Sequence, residues 1–233
     1  MVSYPEFEKN ADTVIRRIAD ACASIGRARG EVEVIAVTKS HPPEAIDYAS
    51  RFGVSAIGEN RVQEAADKKP RSHGDVRWEM IGHLQTNKAR LAVSTFDRIQ
   101  SVDRVKLVRA LDRFAGEAGK MLPVLLQVNT GDDPRKYGAT SGDAPALLEE
   151  ALSTRNLRVD GFMTIAPFEG GRPAARAAFE RLRKLRDDLA DSSGRNFPVL
   201  SMGMTGDLEE AIEAGSTCVR IGTAFFGARK TDR

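Results

Sequence analysis

The feature that most narrows the fold is a regular alternation along nearly the whole chain. Apolar runs of strand length are followed by segments of helical periodicity, with glycine and polar punctuation between them. The strand candidates are VEVIAVT (32–38), SAIGE (55–59), RWEMIGH (77–83), FDRIQSV (96–102), LPVLLQVN (122–129), VDGFMTIA (159–166), FPVLSM (197–202) and STCVRIGT (216–223). Between them lie EAIDYASRFG, RVQEAADKK, TNKARLAVST, RVKLVRALDRFAGEAG, APALLEEALST, PAARAAFERLRKLRDDLADSS and DLEEAIEAG, so every strand but the last is followed by a helix. A repeated strand–helix unit returns the chain to the same edge and makes the strands parallel. Eight such units in about 200 residues are the arithmetic of a closed (β/α)8 TIM barrel. The alternative, an open doubly wound sheet, usually carries about five to seven strands. The segment MVSYPEFEKNADTVIRRIADACASIG adds an amphipathic helix before the first strand. No linker, low-complexity stretch or composition break divides residues 1–233, which read as one domain.

Composition excludes several function classes. Lys and Arg number 35 against 33 Asp and Glu, so the summed charge gives no argument for nucleic acid or a membrane surface. The densest basic run, Arg181 to Arg186, is interleaved with leucines and reads as the solvated face of a helix. Cys22 and Cys218 form no CxxC pair, and His41, His73 and His83 share no metal-ligand spacing, so neither a disulfide scaffold nor a zinc site is expected. The N-terminus lacks the apolar segment of a signal peptide, and no run of about 18 apolar residues could span a bilayer. The expected compartment is the reducing cytoplasm.

Barrel active sites lie at the C-terminal ends of the strands, and phosphate sites favour the loops after strands 7 and 8. Strand 1 ends in Lys39, which either snorkels to water or does chemistry. Strand 2 ends in Gly58-Glu59-Asn60, and Asn60 could cap the next helix with Gln63 at its N3 position. Strand 3 ends in Gly82-His83 and strand 6 in Met163-Thr164. After strand 7, LSMGMTGD places Ser201, Gly203, Thr205 and Gly206 just before a helix; after strand 8 come Gly222 and Thr223. Small residues there let backbone N–H groups approach an anion, and a helix N-terminus adds partial positive charge. Met202 and Met204 read as packing residues and Lys136 as solvated. MGMTGD falls short of a dinucleotide fingerprint. Arg220 interrupts an apolar strand, and a guanidinium inside a barrel needs either a ligand or a buried partner. A strand-end lysine able to bond a carbonyl, beside a phosphate cradle, points to pyridoxal 5′-phosphate (PLP), which carries an aldehyde and a phosphate.

The segments VIAVTKSHPPEAI, IGENRVQEA, WEMIGHLQTNK, IQSVD, VDGFMTI and LSMGMTGDLEEAIEAGSTCVRIGTAFFG follow one another from end to end. In these the chain resembles the pyridoxal phosphate homeostasis proteins, a PLP-binding family. The resemblance implies a barrel of the alanine racemase N-terminal type. It implies that Lys39 holds PLP as an internal aldimine and that Arg220 faces the pyridine nitrogen. Ser201, with Met202 and Gly203 beside it, and Gly222 with Thr223 match the phosphate-binding segments; Asn60 and Ile81-Gly82 match positions along the cofactor's ring and hydroxyl side. The chain departs from relatives at VTKS, where they often read VSKT. A guanidinium beside the ring nitrogen disfavours its protonation, because like charges repel, and leaves the ring a weaker electron sink.

The competing expectation is a PLP-dependent amino-acid racemase. Racemases of this type carry a β-rich domain after the barrel that supplies a catalytic tyrosine across a dimer interface. Here the sequence ends at Arg233, and Tyr4, Tyr48 and Tyr137 lie in no such domain. Racemisation needs an acid and a base on opposite faces, whereas the sequence supplies Lys39 alone. The expectation is therefore a carrier that buffers PLP and serves vitamin B6 homeostasis without turnover. PLP-dependent apo-enzymes are the partners such a role would serve. The expected state is a monomer, with a dimer as the alternative.

Overall fold

In the computed structural model, residues 1–227 are described. Eight parallel strands close into a barrel in chain order. They are β1 (Glu33–Val37), β2 (Ala56–Glu59), β3 (Arg77–Met80), β4 (Arg98–Val102), β5 (Leu122–Gln127), β6 (Leu157–Met163), β7 (Val199–Ser201) and β8 (Cys218–Ile221). Closure pairs β1 with β8, setting Glu33 opposite Cys218 and Ile35 opposite Arg220. Most strands fall within their sequence-predicted runs, and β3, β5, β6 and β8 stop short of the predicted end because residues at the mouth leave the ladder to build loops; β6 begins at Leu157, two residues before its predicted run.

The helices are α1 (Tyr4–Ser24), α2 (Glu44–Phe52), α3 (Val62–Lys68), α4 (Ala89–Thr95), α5 (Val105–Glu117), α6 (Ala144–Ser153), α7 (Gly171–Ser193), α8 (Leu208–Glu213) and the one-turn α9 (Thr223–Phe226). The main core fills the space between the strands and this outer layer. α9 is too short to cover the seam between β8 and β1, and α1 fills the layer beside it. Phe7, Ala11, Val14, Ile18 and Ala21 form the buried stripe of α1, at the three- and four-residue spacing of one helix face. The Phe7 ring lies 5.1 Å from Phe226, 5.6 Å from Phe225 and 6.0 Å from Phe52, so α1 is locked to α9 and α2.

The barrel interior departs from the usual filling of branched aliphatics. Ile35, Ala56 and Cys218 form a small apolar cluster with Val199 against it. The buried polar side chains of Glu79, Arg98, Gln100, Ser201 and Arg220 are bonded to one another in series. The register shifts between β4 and β5, from Ile99 to Val102, and again between β5 and β6, which pair Val124 with Val159 and then Leu125 with Gly161, skipping Asp160. Gly161 is required there, since a Cβ would run into the Val199 carbonyl oxygen. No helix among the described residues is long and apolar enough to cross a membrane.

Candidate functional site

Two cavities open at the C-terminal ends of the strands and share Val37, Lys39, Met204 and Arg220 as walls. The first, of about 180 Å3, extends toward the loops after β7 and β8 and is closed by Thr205, Gly206, Gly222 and Thr223. The second, of about 220 Å3, extends toward β2, β3 and β5 and is lined by Asn60, Ile81, Gly82, Gln127 and Tyr137. Lys39 and Arg220 thus sit where the two cavities meet.

Lys39 stands in a β-turn closed by the His41 N–H donating to the Thr38 carbonyl at 3.0 Å. Such a turn presents the side chain of its second residue outward from the strand end, here into the mouth. Arg220 comes from β8, at the alternate position to Cys218, and so projects inward. Its Nη1 donates to Ser201 Oγ at 2.7 Å and its Nη2 to the Thr164 carbonyl at 2.9 Å. A guanidinium has five N–H donors, and this one still borders both cavities with only 4% of its surface exposed. Of the two roles expected for Arg220, the buried partner is therefore present, and a face remains toward the mouth. Burial lowers the pKa of the guanidinium below its ordinary value; an arginine so shifted still carries its charge at neutral pH.

The structure separates the sequence-predicted residues into two groups. Lys39, Asn60, Ile81, Gly82, Arg220, Gly222 and Thr223 all line the paired cavities. Ser201, Met202 and Gly203 lie behind them. The Ser201 hydroxyl is wholly buried, accepts from Arg220 and donates to Gln100 Oε1 at 2.6 Å, so its side chain is turned into the barrel and used up there. Met202 is buried in the main core. Gly203 turns the chain with φ +96°, its carbonyl accepting the Arg220 N–H at 3.0 Å; a Cβ would collide with Ala211. The residues of LSMGMTGD that reach the cavity are Met204, Thr205 and Gly206.

The wall toward the loops after β7 and β8 is built from small residues and first-turn amides. Gly222 is the N-cap of α9, and a Cβ on it would come within 3.3 Å of Val37 Cβ, crowding a shared wall of both cavities. The first N–H groups of a helix lack intrahelical acceptors and point outward from its start. Met204 to Asp207 form a turn fixed by the Met204 N–H donating to Asp207 Oδ1 at 2.6 Å. Burial raises the pKa of the Asp207 carboxyl. α1 braces both loops: Arg17 Nη2 donates to the Thr205 carbonyl at 3.1 Å, and Asn10 Nδ2 to the Phe225 carbonyl at 3.2 Å. The Arg17 guanidinium is held by Glu209 at 2.8 and 3.0 Å.

Three expectations need correcting. Asn60 does not cap α3, whose cap position is Arg61 one residue later, with no side-chain capping bond. Met204 is not a packing residue; it is 38% exposed and forms a wall of both cavities. Lys136 is not simply solvated, since it borders the cavity that contains Lys39 and its ammonium lies 5.6 Å from the Phe168 ring centre. Sequence reasoning also passed over Tyr137, whose ring stacks on His83 at 3.8 Å to form one side of the same cavity. Both belong to the mouth only because the β5–α6 loop folds back over it, a tertiary fact with no local signal. Gly82 packs so closely on Asn60 that a Cβ would lie 2.7 Å from the Asn60 Cα, which fixes the ends of β2 and β3 against each other.

The donor set suits a small phosphorylated carbonyl compound. It offers a primary amine, a guanidinium that cannot serve as a proton acceptor, and small-residue turns with N–H groups at the far end. The family model for the alanine racemase N-terminal domain matches residues 15–230. A pyridoxal phosphate homeostasis protein of Aquifex aeolicus is 38% identical over 218 residues, covering 93% of this chain and 96% of that one. A protein of the same name from Vibrio cholerae is 38% identical over 231 residues, covering 97% and 98%. The structure of PipY from Synechococcus elongatus with PLP bound superposes with a TM-score of 0.81 at 37% identity, covering 90% of this chain and all of that one. Alanine racemase from Clostridium difficile shares the fold, with a TM-score of 0.75 at 12% identity, over 94% of this chain and 57% of that one.

Proposed function

The chain belongs to the pyridoxal phosphate homeostasis protein family, within the alanine racemase N-terminal domain family, and from that premise we propose that it binds PLP at the barrel mouth and holds it in reserve without turnover. The observation that carries this reading is the meeting of Lys39 and Arg220 at the junction of two cavities, one of which ends in the small-residue loops after β7 and β8. PLP supplies an aldehyde that condenses reversibly with a primary amine, and a phosphate by which it is held. Lys39 provides the amine. Gly206, Gly222 and Thr223 receive the phosphate with backbone N–H groups, and the α1 brace on Thr205 and Phe225 keeps these two loops at a fixed spacing. Arg220 faces the ring nitrogen and, as a permanent cation, keeps a proton off it. Asn60 and the Ile81-Gly82 backbone bound the ring on the other side.

Storage without turnover is supported by the homeostasis name shared by relatives that match nearly end to end. A racemase is the second reading, favoured by one observation: Tyr137 lines the cavity that contains Lys39. That ring is already stacked on His83, an arrangement that suits a wall. Two measurements separate the readings. Purified protein titrated with PLP should develop the absorbance of lysine-bound cofactor, and Lys39→Ala should abolish that band. With the cofactor loaded, alanine in deuterated water should keep its α-proton; exchange at enzyme rates would contradict storage and favour the racemase.

A further inference from the structure

The motif IGENRVQEA is only partly used by the pocket, which takes Asn60 from it. Its two glutamates, Glu59 and Glu64, lie on the helix side of the barrel wall, around the ammonium of Lys68, a residue only 6% exposed. A buried lysine requires partners, and this one has three, matching its three N–H donors. Lys68 Nζ donates to Glu59 Oε1 at 2.9 Å, to Glu64 Oε1 at 2.6 Å and to the Thr38 carbonyl at 2.9 Å. The Thr38 hydroxyl donates to Glu59 Oε1 at 2.7 Å, and the Ser40 N–H donates to Glu64 Oε1 at 2.6 Å.

The backbone groups so held are those immediately before and after Lys39. Ser40 is one of two described non-glycine residues at positive φ, +61°, a conformation that costs an ordinary residue about 1 kcal/mol or more. It persists because the Glu64 carboxylate accepts its N–H. The cluster accounts for both flanks of VTKS. Position 38 must supply a hydroxyl, which serine would do as well, and position 40 contributes its backbone.

We infer that Lys68, with Glu59 and Glu64, is a positioning device that sets the turn carrying Lys39 before the cofactor arrives. None of the three lines the paired cavities; what they hold is the backbone on either side of Lys39, the Thr38 carbonyl and the Ser40 N–H. The inference rests on Lys39 being the attachment point. Burial, opposed by Lys68, raises the pKa of Glu59. Burial alone would do the same at Glu64, but the Lys68 and Ser40 hydrogen bonds outweigh it and lower that pKa. Glu64 is therefore a charged acceptor for the Ser40 N–H near neutral pH.

The test follows the rate at which Lys39 captures PLP in the full chain. The neutral amine adds to the aldehyde carbon, the carbonyl oxygen leaves as water, and C=N replaces C=O. Added borohydride then delivers hydride to that carbon while solvent protonates the nitrogen, fixing an adduct counted by mass spectrometry. Glu64→Asp keeps the charge beside Lys68 but falls one methylene short of Ser40; Glu64→Gln keeps the reach and loses the charge. Capture should slow roughly tenfold in Glu64→Asp, the size expected from losing one charge-assisted hydrogen bond, and stay within about threefold of wild type in Glu64→Gln. Both sit on a helix face and should melt within a few degrees of wild type. The reverse order, Glu64→Gln slow and Glu64→Asp normal, would mean that the cluster serves charge pairing alone and would overturn the inference, as would wild-type capture in both. If the wild-type protein itself formed no adduct at Lys39, the binding reading would fall first, and this inference with it.

Discussion

Lys39 and Arg220 were legible in the sequence because one ends an apolar strand and the other interrupts one, and a cation at either place requires a reason. Ser201 was legible as a site residue but not in its orientation. Whether a strand residue points into the barrel or up to the mouth depends on parity and on where the ladder stops, and one residue of shift reverses the answer. Here Ser201 is the last residue of β7 and points inward, between Arg220 and Gln100. Thr223, two residues beyond β8, stands at the cavity. The two hydroxyls therefore predict different losses. Ser201→Ala leaves Arg220 Nη1 and Gln100 Oε1, both buried, without the hydroxyl that joins them and should cost about 1–3 kcal/mol of stability in urea unfolding. Thr223→Ala should leave the unfolding midpoint nearly unchanged and weaken PLP binding instead.

Among the elements, strand order and helix positions could be read from periodicity, whereas the loops that complete the mouth could not. The β5–α6 and β6–α7 loops are joined through Asp133. Its Oδ1 accepts from the Arg135 N–H at 3.0 Å and from Arg135 Nε at 2.9 Å, and its Oδ2 accepts from the Phe168 N–H at 3.0 Å. The Arg135 side chain first, then the Phe168 amide, hold the Asp133 carboxyl far below the ordinary 3.8. A carboxylate depressed in the folded state contributes stability that is complete above its unfolded value and is lost as the pH falls toward its folded value. The joint should therefore be intact at neutral pH and loosen in acid below about pH 4. The Phe168 amide, measured by hydrogen exchange against its intrinsic rate, should lose protection over that range. Asp133→Asn should expose the same amide at neutral pH; unchanged protection in either case would contradict the role given to this aspartate.

Over the whole molecule, eight strand–helix units could mean little but a barrel, and the closed order of β1 to β8 follows. The polarity of the interior was not evident, because RWEM and RIQSV read as ordinary alternating strands until their inward residues are identified. The β3–β4 pairing places Glu79 against Arg98 at 2.8 Å through two bonds, with Gln100 on the same carboxylate, both charged groups buried. Without the Glu79 carboxylate, Arg98 Nε and Gln100 Nε2 lose their acceptor and Glu33 alone still holds the guanidinium, at 3.0 Å, so Glu79→Ala should destabilise the fold by about 1–3 kcal/mol in denaturant titrations. Above this interior the barrel does one thing: it brings an amine from the turn after β1, a guanidinium on β8 and the β7 and β8 loops to a single mouth. The most direct test of that claim is borohydride reduction of the PLP-loaded protein followed by peptide mapping. The account predicts one pyridoxyl group per chain, on the peptide containing Lys39; an unlabelled chain, or a label confined to another lysine such as Lys136, would contradict it.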